Sequence, residues 1–266
     1  MYDNICFLLV TCCLEKTRSD LLKKVVDNLL SEFPEAVSRV CVFDNASTQD
    51  VSCLTKFSNY YKCETNIGYW SAIDWWLRSG LADKRYSYII ESDLIHHDFF
   101  MLNNCSDLLD HRDDIGAVRV HEYSVENKHL YDKDNPVKGS KKNAWRSHTN
   151  KVTNEKVTLT QIKDKLFESN FLTHLPALNR TSCLLDCFDK LKNKDFCELD
   201  FQKLYHDHYQ KIAVLDGGIF VDNAGFESGL ITGSWTSQST LDKIGYKNTR
   251  FTRLVDTSEI KVQKLH

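Results

Sequence analysis

Apolar positions in this chain fall into short unbroken runs separated by stretches with a period of three to four residues. ICFLLVT, at positions 5–11, is a continuous apolar run and reads as a strand buried on both faces. Leu21, Leu22, Val25, Val26, Leu29 and Leu30 then recur at helical spacing. They predict a helix capped by Ser19 or Asp20 and running to about Phe33, with Pro34 marking its exit. Strands follow at 40–43 and 60–63, with a short helix over 50–57 between them. A helix over 70–81, a strand over 86–90, a helix over 99–111 and a strand over 115–120 continue the pattern. Such alternation predicts an α/β fold, a mostly parallel sheet with helices on both faces.

The pattern breaks near Glu122. From there to about Val157 the chain is polar, with Pro136, Gly139 and few apolar anchors, and reads as a long loop. Beyond it the expectations are a helix near 160–168, an apolar turn at 175–178, and helices near 182–190 and 199–209. Strands at 212–215 and 219–221 flank Gly217 and Gly218, and the tail beyond Gly225 is expected to wrap the surface. The organisation expected is one domain over 1–266, with halves at 1–121 and 158–266 around a variable loop at 122–157.

Composition narrows the picture modestly. A chain of 266 residues can bury one substantial core. A net charge of -3 gives no general reason to expect nucleic acid or an anionic membrane as partner. The ten cysteines are scattered and form no CxxC pair, which excludes a zinc ribbon and fits reduced thiols. ICFLLVTCCL is too short to span a bilayer, follows Asp3, and precedes no cleavage site, so a soluble cytoplasmic protein is expected.

Candidate chemistry collects just after the apolar runs, where ligands of α/β sheets bind. Asp44, in FDNAST, is placed to accept from a ribose hydroxyl or a base N–H; the plain alternative is a turn residue. Asn66 and Gly68, in NIGYW, precede a helix whose N-terminus favours a phosphate. The aromatic run Tyr69, Trp70, Trp75 and Trp76 reads as core, with Trp70 the best candidate for exposure. Glu91 and Asp93, either side of Ser92, make an oxygen-rich pair suited to Mn²⁺ or Mg²⁺. His96 and His97 read as polar loop residues. Glu198 and Asp200 begin a helix, where acids complement the dipole or serve as a general base. Asp222 follows another apolar run, either to complete a metal shell or to start a turn. The basic stretch 138–151, with Trp145 and His148, and the cluster Lys247, Arg250 and Arg253 are candidate contacts to phosphates.

Taken together and in order, these segments resemble the family 2-like glycosyltransferases of the GT-A fold, in the rhamnosyltransferase-like branch. FDNAST is similar to that family's nucleoside-binding V-V-D-N-x-S-x-D segment, and NIGYWSAID to its N-x-G-x-x-x-x-N stretch, with Asp74 where Asn is usual. ESD resembles the D-x-D metal motif with Glu91 for the first Asp, and CELDF resembles the catalytic segment, whose usual Arg and Gly are not clearly present. The resemblance implies a GT-A-type mostly parallel sheet with a C-terminal acceptor-side region of helices and loops. It implies donor binding by Thr11, Asp44, Asn66, Gly68 and Ser92, a metal on Asp93, Glu91 and Asp222, and Glu198 or Asp200 as base. The donor would be a UDP- or dTDP-type sugar, transferred with inversion to a hydroxyl of a saccharide or lipid-linked sugar. A hydroxylated base of viral DNA is the alternative acceptor. Nucleotidyl transfer and a catalytically inactive nucleotide-binding domain are the alternatives to glycosyl transfer, and TCCLEKTRSD lacks the glycines that nucleotidyl transfer would call for.

Overall fold

A computed structural model of the chain describes residues 2–120, 150, 152–170, 176–221 and 252–266, with Phe220–Val221 described as backbone alone. The first apolar run forms β1 (Ile5–Thr11), buried along its whole length. After it come α1 (Lys16–Glu32), α2 (Ala36–Arg39), β2 (Val40–Asn45), β3 (Asn59–Cys63), α3 (Tyr69–Arg78) and β4 (Tyr86–Glu91). β1 pairs in parallel with β2 on one side and β4 on the other, and β2 pairs in parallel with β3. Strands covered on both faces need apolar side chains in both directions, which is why they appear as unbroken runs.

The second half adds β5 (Ile95–His96), α4 (Met101–His111), β6 (Ile115–Arg119), β7 (Leu159–Lys163), β8 (Leu166–Ser169), β9 (Ala177–Arg180), α5 (Thr181–Leu191) and β10 (Asp195–Phe196). α6 (Glu198–His208), β11 (Lys211–Leu215), β12 (Phe220–Val221), β13 (Thr252–Arg253) and β14 (Val262–Lys264) complete it. The main sheet has ten described strands in the order β14-β3-β2-β1-β4-β9-β6-β11-β8-β7. β3, β2, β1, β4, β6, β11 and β7 run one way, while β14, β9 and β8 oppose them. This is the mostly parallel, helix-flanked α/β sheet of GT-A type.

Side chains alternate across the sheet and build a core on each face. Phe7, Leu9, Val42 and Tyr88 pack with Leu22, Val26 and Leu29 of α1 and Leu102 and Leu109 of α4. Leu8, Val10, Phe43 and Ile89 pack on the other face with Trp76 of α3, Phe188 of α5 and Phe201 of α6.

Several expectations needed correction. α1 starts at Lys16 rather than after Ser19, and its N-cap Glu15 supplies no side-chain cap. The Ser19 hydroxyl donates instead to the Asp50 carbonyl. Residues 50–57 hold only a 3-10 turn, Ser52–Lys56. The helix expected near 160–168 is a hairpin, β7 and β8, which turns at Lys165 with φ of 55° and pairs β8 antiparallel to β11. The apolar turn at 175–178 is replaced by β9 over 177–180, buried and inserted antiparallel between β4 and β6. In the tail, β14 adds an edge strand antiparallel to β3. Of the loop expected over 122–157, residues 122–149 and 151 lie outside the described residues, which takes in all of the basic stretch 138–151 except Asn150; Asp222, Lys247 and Arg250 also lie outside them.

Candidate active site

The C-terminal edges of β1, β2 and β4 lie side by side, with Thr11 opposite Asp44 and Val10 opposite Glu91. The loops leaving these strands are tied together. Ser47 Oγ accepts from the Cys13 N–H at 2.8 Å, and the Cys13 carbonyl accepts from the N–H groups of Thr48 and Gln49 at 3.0 and 3.1 Å. Asn45 Oδ1 accepts from the Ile67 N–H at 2.9 Å, while Asn45 Nδ2 donates to Asn66 Oδ1 at 2.9 Å. Asn66 Oδ1 also accepts from the Gly68 N–H at 2.9 Å. Gly68 caps α3 with φ of 83°, a conformation that glycine adopts without strain. Thr11, Asp44, Asn66 and Gly68 are therefore brought together at one edge of the sheet.

Asp44 is wholly buried, and both carboxylate oxygens are engaged. Oδ1 accepts from the Ser47 N–H at 2.9 Å, across a turn in which Ala46 takes φ of 63°. Oδ2 accepts from the Tyr60 hydroxyl at 3.1 Å and lies 3.7 Å from Lys62 Nζ. In this arrangement Asp44 shapes the edge rather than presenting an open oxygen.

The acidic pair ends β4. Glu91 Oε1 accepts from the Tyr69 hydroxyl at 3.3 Å. Asp93 is buried, with Ser92 beside it, and its carboxyl is pushed up by burial while the Arg18 guanidinium, 3.5 Å away, pulls it back. The two residues after Leu94 form β5, which pairs with β12, so that Val221 opposes Ile95. Asn28 of α1 holds this segment from below, accepting from the His96 N–H at 2.6 Å and donating to the His96 carbonyl at 3.0 Å.

Tyr69 lies beside the acidic pair, its hydroxyl donating to Glu91. Burial raises its hydroxyl well above the ordinary tyrosine value, and the charges of Glu91, Asp93 and Glu198 raise it further. Acids that are far apart in sequence thus act on one phenol. Beside this edge, burial first, then Cys13 and Asp44, push the Cys12 thiol up to about 12, while Arg18 opposes them.

Glu198 and Asp200 are not equivalent. Asp200 closes a capping box at the start of α6: its Oδ2 accepts from the Cys197 N–H at 2.9 Å and the Cys197 thiol at 3.2 Å. The Cys197 N–H, followed by the thiol, holds the Asp200 carboxyl below its ordinary value. Glu198 is exposed and accepts from Gln202 Nε2 at 3.0 Å within its own helix.

The remaining expectations divide. Of the aromatic run only Trp76 is fully buried; Tyr69, Trp70 and Trp75 are half-buried against the core, and Trp70 packs edge-on to Phe196 at 5.6 Å and against Phe201 at 5.1 Å. His96 is not a polar loop residue. It lies 1% exposed among Tyr88 and Phe99, and burial pushes its imidazole down to about 3. Asp74 is buried and pairs with Arg78 at 2.8 Å within α3. Arg253 pairs with Asp195 at 2.8 Å on the surface. Among the described residues no group of three or more His, Cys, Asp or Glu side chains could hold a metal. Glu91 and Asp93 supply two carboxylates, a donor set that fits an ion completed by phosphates and water, not a closed cage.

Three residues at the site went unnoticed in the sequence. Tyr69 looked like one more aromatic of a core run, although its place directly after Gly68 at a helix start is a usable signal. Arg18 and Asn28 carry no signal, because each reads as a polar position on an amphipathic helix.

No protein-family model and no curated protein matches the sequence. Among solved structures, S. aureus TarS 1–349 in complex with UDP-GlcNAc matches at 15% identity with a TM-score of 0.50, over 82% of this chain and 57% of that one. The same protein in complex with UDP matches at 15% identity and a TM-score of 0.48, over 82% of this chain and 59% of that one. Mannose-1-phosphate geranyltransferase from Thermus thermophilus matches at 7% identity with a TM-score of 0.41, over 83% of this chain and 76% of that one. This chain spans 57% of the length of TarS 1–349 in the UDP-GlcNAc complex, and at 15% identity that likeness is one of fold.

Proposed function

We propose that this chain transfers a sugar from a nucleoside diphosphate to an acceptor hydroxyl, with inversion at the anomeric carbon. The observation that carries this reading is the alignment of Thr11, Asp44 and Glu91 along the C-terminal edge of a mostly parallel sheet, where Glu91 accepts from the Tyr69 hydroxyl at 3.3 Å and Asp93 follows two residues on. Such a transfer needs charge neutralised at the leaving diphosphate and a proton taken from the attacking hydroxyl. Asp93 and Glu91 would hold Mn²⁺ or Mg²⁺, with Asp222 as a further candidate. When bound, such an ion supplies positive charge to the diphosphate. Glu198 is the general base in this reading, because it is exposed to an incoming acceptor. Asp200 is committed to the start of α6, and its lowered carboxyl makes it the poorer proton acceptor. The nucleoside lies against Thr11, Asn66, Gly68 and Ser92, on an edge that Asp44 braces. A UDP-type sugar is the first donor to try, since the TarS structure of similar fold holds UDP-GlcNAc. The acceptor hydroxyl belongs to a saccharide or a lipid-linked sugar.

The test is a panel of UDP- and dTDP-sugars with Mn²⁺ and saccharide acceptors, reading nucleoside diphosphate release and the anomeric configuration of the product by NMR. Glu198→Gln is expected to lower turnover by about 10²–10⁴-fold with donor affinity kept. Absence of turnover with every donor, or a Glu198→Gln variant as active as the parent, would overturn the assignment.

A further inference from the structure

We propose that Arg18 grips the diphosphate of the donor, and that its contact with Asp93 is the resting position of that grip. The inference rests on reading this edge as a nucleoside-diphosphate site and names a residue that carries the anion. Arg18 stands in the first turn of α1, its side chain only 12% exposed, with Nη1 3.5 Å from Asp93 Oδ2. Its charge also acts on the thiols of Cys12 and Cys13, just beyond the end of β1. Asp93 follows the last residue of β4 by two positions, so the guanidinium lies just past the C-terminal end of that strand.

Arginines that serve structure in this chain are bound differently. Arg112 meets Asp114 at 2.7 and 2.8 Å and Glu168 at 2.6 Å. Arg180 donates to the carbonyls of Leu109, Arg112 and Ile115 at 2.7, 3.0 and 3.0 Å. Arg78 bridges Asp74 and Asp189 at 2.8 Å each. Among the described residues Arg18 has one side-chain hydrogen bond, to Asp93 at 3.5 Å, where a charge-assisted bond normally closes to about 2.7–2.9 Å. The rest of its planar fork donates to no described residue. That fork matches phosphate oxygens in pairs, which a lone carboxylate oxygen at this distance does not exploit.

The surroundings require such a cation. Glu91 and Asp93 by themselves repel a diphosphate, and the nearly buried Arg18 guanidinium offsets one of those two charges beside it. A divalent ion, if bound at Asp93, would displace Arg18 from that carboxylate and leave its guanidinium for phosphate oxygens. In the absence of metal, Arg18 is the anion's counter-charge.

The experiment is calorimetric titration of pyrophosphate, UDP and uridine, in EDTA, into the parent chain and the variants Arg18→Gln, Arg18→Lys and Asp93→Asn. Arg18→Gln is expected to weaken UDP and pyrophosphate by about 10–100-fold, the range of a charged hydrogen bond, and to leave uridine within about twofold. Arg18→Lys falls between the two. Asp93→Asn, which keeps Arg18 and removes its resting partner, is expected to bind pyrophosphate several-fold tighter, and most of that gain is expected to vanish when Arg18→Gln is added to it. Equal UDP binding by the parent and Arg18→Gln, with Asp93→Asn unchanged, would overturn the grip while leaving the nucleotide reading intact. Pyrophosphate binding that depends on Arg18, with UDP no tighter and uridine unbound, would keep the grip and remove the nucleotide reading. A parent chain that binds neither anion overturns both.

Discussion

Asn28 provides a direct measure of how firmly the acidic segment is held. Its amide satisfies both backbone groups of His96, taking the N–H at 2.6 Å and giving to the carbonyl at 3.0 Å. His96 is 1% exposed, so Asn28→Ala leaves these groups without that partner in a place water does not reach. A buried polar group stripped of its partner costs about 1–3 kcal/mol, and a carbonyl tolerates the loss better than an N–H. The variant should therefore lose roughly 2–4 kcal/mol of stability, or about 4–16 °C in melting temperature at about 2–4 °C per kcal/mol. Urea denaturation followed by circular dichroism is the assay, with the midpoint expected to fall and the slope to stay constant. Asn28→Asp keeps the acceptor but sets a carboxylate oxygen against the His96 carbonyl, and should be no milder than the alanine variant. A loss below about 0.5 kcal/mol for Asn28→Ala, the level of an ordinary surface substitution, would refute the idea that α1 carries this segment through that amide.

Further expectations concern stability and the division of labour between the two acids of α6. Gly116→Ala would place a Cβ 2.5 Å from Tyr209 Cγ and 2.6 Å from its Cβ, beside the carbonyl that accepts from the Tyr205 hydroxyl at 2.8 Å; overpacking of this kind should cost about 1–3 kcal/mol in urea titrations. His96 stays neutral in the folded chain because burial pushes it down to about 3, whereas the unfolded chain takes up a proton near its ordinary value of about 6.5. Its contribution is thus complete above about pH 6.5 and is lost as pH falls toward about 3, at no more than about 1.4 kcal/mol per unit. His96→Phe should flatten that slope in denaturation series at stepped pH, and an unchanged slope would contradict the burial argument. Asp200→Asn should cost about 1 kcal/mol through the weakened start of α6 yet retain most turnover, the opposite profile to Glu198→Gln; severe loss of turnover with unchanged stability would move the base to Asp200.

How legible each feature was depended on whether its cause was local. β1, β2 and β4 were readable because burial on both faces demands apolar residues in succession. α4 and α5 were readable to within two residues at either end from their one-sided periodicity. The hairpin at β7 and β8 was misread as a helix: its spacing of apolar residues suits either structure, and the decision came from pairing with β11. β9 is four residues long, and nothing within them announces that they will slot backwards between β4 and β6.

At the candidate site, the sequence alone determined which acids stand just past the apolar runs, because a strand leaving a buried sheet must end in residues that tolerate the edge. It could not determine what those acids face. Asp44 turned inward to Ser47 and Tyr60, Asp93 met a guanidinium 75 residues earlier in the chain, and Asp200 closed a cap while Glu198 stayed open. Those outcomes belong to tertiary structure, since a carboxylate's partners are fixed by distance and burial, and both arise only when remote segments of the chain are packed against one another.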